Sequence, residues 1–97
     1  KPTAFVVEND ATAAIAINHL IRAGIGVPED VSLIGFDDTI MASSCIVPLT
    51  AIHQPVERIA RTVGELLLER LQDGYDGAPR RVAIQGEVVA RESTAVV

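Results

Sequence analysis

Apolar positions along the chain fall into two kinds of pattern. Short unbroken runs, AFVV (Ala4–Val7) and VSLI (Val31–Ile34), are rich in β-branched and aromatic residues and read as buried strands. Between them, "ATAAIAINHLIRAG" repeats its apolar residues at helical spacing through Ala13, Ile17, Leu20 and Ile21, and stops at Gly24. Asn9 or Asp10 supplies the N-cap, and "GVPED" supplies the turn into the next run. Strand, helix and strand at this spacing predict a βαβ unit, hence a parallel sheet with a right-handed crossover. Further on, "TIMASSCIVP" suits a short helix or an irregular loop, and Leu49–His53 reads as a strand. Pro55 then stands at the first position of a helix whose stripe Val56, Ile59, Ala60, Val63, Leu67 and Leu71 is continuous up to Asp73-Gly74. After the turn-rich "DGYDGAP", Arg81–Ile84 and Val88–Arg91 are strand candidates around Gln85-Gly86-Glu87.

Composition narrows what such an α/β chain does. Ninety-seven residues, 48% of them hydrophobic, predict one globular domain or a large piece of one. Eight basic residues stand against 13 acidic ones, for a net charge of −5, and no Lys/Arg run occurs, so this segment carries no footprint for a phosphate backbone. Any DNA contact belongs elsewhere. The single cysteine, Cys45, forms no internal disulfide and fits a reducing compartment. No apolar run approaches the roughly 20 residues that span a bilayer. The chain opens on Lys1 and runs almost at once into a strand, which suggests a segment of a longer protein.

In an open parallel sheet the ligand crevice lies outside the carboxyl ends of the strands. Glu8-Asn9-Asp10 and Asp37-Asp38 both follow strands and so occupy that edge. A carboxylate accepts hydrogen bonds from neighbouring hydroxyls and an Asn amide both donates and accepts, a combination that suits a polyhydroxylated ligand. Helix capping is the competing role for each of these residues, and also for Gln54, which sits where a strand gives way to a helix. An acidic pair after a strand also suits magnesium-assisted phosphoryl chemistry. That reading lacks a Gly-rich phosphate loop, a partner lysine and an activated nucleophile. His19 and His53 lie away from any second metal-ligand residue at suitable spacing and read as surface or packing residues, and Cys45, in an apolar context, as an inert thiol. No catalytic residue, metal site or cofactor is expected.

"VPEDVSLIGFDD", "PLTAIHQP" and "VVARES", in this order and spacing, resemble the LacI/GalR family of bacterial transcription regulators, and the resemblance extends over the whole chain. It implies the C-terminal portion of an α/β, parallel-sheet, periplasmic-binding-protein-like two-lobed fold. Residues 1–53 would belong mainly to the C-terminal lobe, 54–86 mainly to the N-terminal lobe, and 87–97 to the return into the C-terminal lobe. By position, Asn9, Asp37 and Gln54 match the family's effector contacts, while Asp10 and Asp38 serve as cap and scaffold, with Arg91 a candidate partner for Asp38. The family also implies a cytoplasmic homodimer formed through Ala11–Ala23 and Thr39–Val47. A small polar effector, sugar or purine in different members, would be held between the lobes. Operator DNA would be bound by a headpiece upstream of this segment. A periplasmic sugar-binding protein of the same fold is the alternative, and an enzyme the remote one.

Overall fold

The computed structural model describes residues 1–97. Its elements are β1 (Ala4–Val6), α1 (Asp10–Arg22), β2 (Ser32–Asp37), α2 (Ile40–Ser44), β3 (Thr50–His53), α3 (Val56–Leu71) and β4 (Glu87–Val89). The chain divides into two compact units, one of Lys1–Gln54 with Glu87–Val97 and the other of Pro55–Gly86.

The first unit holds the whole sheet, in the order β1-β2-β3-β4. The first three strands run parallel, Val6 opposite Ile34 and Gly35 opposite Ala51, whereas β4 runs antiparallel to β3 with Glu87 opposite His53. The βαβ unit is present, and α1 starts at Asn9, whose Oδ1 accepts the Thr12 N–H at 2.8 Å. It stops where Gly24 takes φ +80, a conformation that only glycine adopts without cost. The helix buries Ala13 and Ile17, and these join Val27, Val31, Leu33, Ala42, Leu49 and Ala51 as the core. Each fully buried Ile or Leu among them contributes about 1.5–3 kcal/mol of transfer free energy. Ile21, counted on the apolar stripe by spacing, is 39% exposed because it falls to the side of the Ala13–Ile17 face. Gly35 lets β2 pass close to its neighbours: a Cβ there would stand 2.6 Å from Leu49 Cδ2 and 2.7 Å from Asp10 Oδ1.

The last expected strand is displaced. Pairing covers Glu87–Val89 rather than Val88–Arg91, because the Arg91 N–H leaves the ladder and donates to Thr50 Oγ1 at 2.9 Å. Ser93 then fastens the terminal segment to the sheet, its Oγ donating to the Leu33 carbonyl at 2.6 Å and accepting the Thr50 N–H at 2.8 Å.

The second unit contains α3 and an irregular segment after it. Residues Arg81–Ile84 do not form the expected strand. All four strands of the sheet lie in the first unit, so their β-prone sequence has no ladder to join within its own unit. The α3 helix forms as its periodicity predicts, yet none of its residues is buried. Tyr75 organises the turn that follows, with the Arg80 guanidinium 4.4 Å and that of Arg70 5.2 Å from its ring centroid.

Candidate functional site

Three strands that run parallel and adjacent end at one edge of the sheet, so the residues that follow them are brought together there. After β1 comes Asn9, at the end of β2 stand Asp37 and Asp38, and β3 closes on His53 and Gln54. All but His53 are partly buried at this edge. The Gln54 Nε2 donates to Asp37 Oδ1 at 2.5 Å, joining two of the residues singled out by sequence. Gln54 is not a helix cap, since α3 has no side-chain capping bond. Asn9 sits on the adjoining strand end without a bond to either, and its Oδ1 is engaged by the α1 cap. Capping and edge placement thus coexist in Asn9, which the sequence had set as alternatives.

Hydrogen-bond bookkeeping defines what this edge offers. An amide oxygen of Asn9 is used and its Nδ2 remains to donate; a nitrogen of Gln54 is used and its Oε1 remains to accept; Asp37 keeps Oδ2 as an acceptor. The strand ends thus carry two acceptors, on the bonded Asp37–Gln54 pair, and one donor, on Asn9.

The backbone beneath them is strained. Asp37 has φ +108 and Asp38 has φ +62, both on the side of conformational space that side chains avoid, at a cost of order 1–3 kcal/mol per residue. Neighbouring contacts hold this turn. Asp10, 1% exposed, accepts from the Thr39 N–H at 2.5 Å and from Thr39 Oγ1 at 3.0 Å, so it is scaffold rather than cap. Asp38 accepts from Arg91 Nη2 at 2.6 Å and lies 3.0 Å from His53 Nδ1. The Arg91 hydrogen bond is the main cause that holds the Asp38 carboxyl below its ordinary pKa; burial opposes it and His53 adds to it.

Arg91, the expected candidate partner of Asp38, is its partner in the structure; His53 lies at the surface as expected but also contacts Asp38, a contact that its position in the sequence did not announce. His53 stands immediately before Gln54, opposite Asp37 in the β2–β3 register. Cys45 donates its thiol to the Met41 carbonyl at 2.8 Å, and burial, followed by the Asp10 charge, pushes its pKa up. That keeps it a thiol and a poor nucleophile. No three His, Cys, Asp or Glu side chains come together as a metal-binding group, and no helix is long and apolar enough to cross a membrane.

Comparison with known proteins agrees with this architecture. The model of the periplasmic binding protein-like domain matches residues 1–94. The transcriptional repressor PurR of Aliivibrio fischeri is 43% identical over 93 residues, which cover 96% of this chain and 27% of the repressor. The chain therefore spans little more than a quarter of that relative's length. Among solved structures, the transcriptional regulator CelR in complex with cellobiose superposes with a TM-score of 0.84 at 31% identity, covering 94% of this chain and 28% of CelR. A LacI-type transcription regulator from Bifidobacterium animalis subsp. lactis gives a TM-score of 0.83 at 39% identity, covering 98% of this chain and 34% of the regulator. These relatives are regulators of transcription, not enzymes. With its βαβ core and a family match along nearly its whole length, the chain belongs to the periplasmic-binding-protein-like domain family, and it resembles the corresponding segment of LacI-type regulators.

Proposed function

We propose that this chain is the effector-sensing and dimerisation segment of a cytoplasmic LacI-type regulator. It binds a small polar ligand, a sugar in our reading, that controls operator binding allosterically. The observation that carries the proposal is the Asp37–Gln54 hydrogen bond at the strand-end edge, which leaves an acceptor on each residue, while Asn9 keeps a donor at the end of the adjoining strand. Vicinal hydroxyls of a sugar donate to Asp37 Oδ2 and Gln54 Oε1, and a ring or hydroxyl oxygen accepts from Asn9 Nδ2. The cellobiose held by CelR is a ligand of this chemistry. In this reading residues 1–53 belong mainly to the C-terminal lobe, 54–86 mainly to the N-terminal lobe, and 87–97 return to the C-terminal lobe.

Dimerisation through Ala11–Ala23 and Thr39–Val47 is supported by exposed apolar side chains there: Ile15 at 58%, Met41 at 41% and Ile46 at 72% exposure. DNA contact falls to a headpiece upstream, consistent with the acidic balance of this segment. The effector acts by binding one conformation of the regulator more tightly than the other, which shifts the population that fits the operator.

The test is calorimetric titration of the full-length regulator with cellobiose, glucose and a purine base, paired with operator binding. Asp37→Ala leaves the ligand's donors unpaired, a loss of about 1–3 kcal/mol or roughly five- to 150-fold in affinity. Operator binding should stay intact and the effector response should move to correspondingly higher ligand concentration. Unchanged effector affinity in this variant would remove Asp37 from the site, and binding of the purine base alone would replace the sugar reading.

A further inference from the structure

The contacts of Asp38 extend the effector-site reading, on which this inference rests, to residues that do not face the ligand. Asp37 and Asp38 are consecutive non-glycine residues with positive φ, so the direction of the Asp37 carboxylate depends on what keeps the pair in that conformation. From one side Asp10 holds Thr39. From the other, Asp38 uses both carboxylate oxygens, Oδ1 for Arg91 and Oδ2 for His53.

Arg91 is anchored independently of Asp38. Its Nη1 donates to the Leu49 carbonyl at 2.8 Å, its backbone N–H donates to Thr50 Oγ1, and its side chain is 20% exposed. The planar guanidinium therefore spans the start of β3 and the turn after β2 in one fork. His53 adds a second fixed point, since it opposes Asp37 in the sheet register and precedes Gln54 in the chain. A clamp on Asp38 and His53 thus sits one residue from each member of the Asp37–Gln54 pair.

We propose that Arg91, acting through Asp38 with His53 as its second partner, is a positioning residue that holds Asp37 and Gln54 in ligand-ready geometry. A merely stabilising ion pair would lower the melting temperature when broken and leave the Asp37–Gln54 bond unchanged in the molecules that stay folded. A positioning residue changes that bond itself.

The ligand-free full-length regulator allows the two to be separated by ¹⁵N-edited NMR of the Gln54 side-chain amide, assigned by its disappearance in Gln54→Glu. The exposed Gln72 and Gln85 provide the reference for an amide bonded only to water. In Arg91→Met the Gln54 resonances should shift toward those references. The double variant Arg91→Met with Asp38→Asn carries no unpaired charge but has still lost the fork, so its Gln54 resonances should stay shifted. Arg91→Lys, which keeps the charge and loses the fork, should give an intermediate shift and serves if the methionine variant does not fold. Unchanged Gln54 resonances in folded Arg91→Met or Arg91→Lys would overturn the proposal, as would their return to the parent positions in the double variant, which would trace the shift to an unpaired carboxylate. Because the readout needs no ligand, failure of cellobiose, glucose and the purine base to bind would count against the effector reading alone.

Discussion

Asp38 is held ionised by partners that exist only in the folded chain, with Arg91 foremost and His53 second, against the opposing effect of burial. Its folded pKa therefore lies below the unfolded value of about 3.9, so the stability it contributes is complete above that value. That contribution is lost as pH falls through the folded pKa. Asp38→Asn should accordingly be less stable than the parent at neutral pH, with the gap closing as the solution is acidified below the ordinary carboxylate range. Denaturant melts across that acid range give the measurement, and a gap independent of pH would show that the Asp38 charge is not responsible. At this scale the residues themselves were legible, and of their pairings only Arg91 with Asp38 was anticipated, through the family resemblance. "GFDD" and "HQP" mark Asp37 and Gln54, but the bond between them crosses 17 positions, and that from Arg91 to Asp38 crosses 53.

Among the elements, α1 couples a structural device to the site. Its N-cap is Asn9, whose Oδ1 is bound to the Thr12 N–H while Nδ2 stays free to donate. Asn9→Ala loses both roles, and the missing cap alone costs about 0.5–2 kcal/mol. Asn9→Asp keeps a capping oxygen and favours the helix dipole, yet replaces the donor by a second acidic group near Asp37. Thermal melts should therefore find Asn9→Asp close to the parent and Asn9→Ala destabilised, while titration with the effector finds both impaired. An Asn9→Asp variant with full effector affinity would leave Asn9 a cap only. The helices and parallel strands were legible because their periodicity is local. Arg81–Ile84 was misread for the complementary reason: β propensity describes fitness for a sheet, and a strand exists only where another offers its edge.

For the whole molecule, the distribution of burial decides what the chain does in isolation. Every core residue lies in the first unit, whereas α3 leaves Val56 67%, Val63 58%, Leu67 54% and Leu71 71% exposed, and Ile40 and Ile46 add 79% and 72%. So much uncovered apolar surface favours association. The isolated 97-residue chain should sediment as concentration-dependent oligomers and bind a hydrophobic dye. A monomer with a sharp, cooperative unfolding transition would refute this. The sequence by itself determined the order of elements, the amphipathic faces of α1 and α3, and the placement of Asn9, Asp37 and Gln54 at or just beyond strand ends, because these follow from spacing along a local backbone. Only the tertiary structure decided that β4 runs antiparallel, that Asp37 grips Gln54, and that Arg91 and His53 close on Asp38. Those outcomes depend on which strands become neighbours, and sheet order is set by packing between segments far apart in the chain, which no local pattern records.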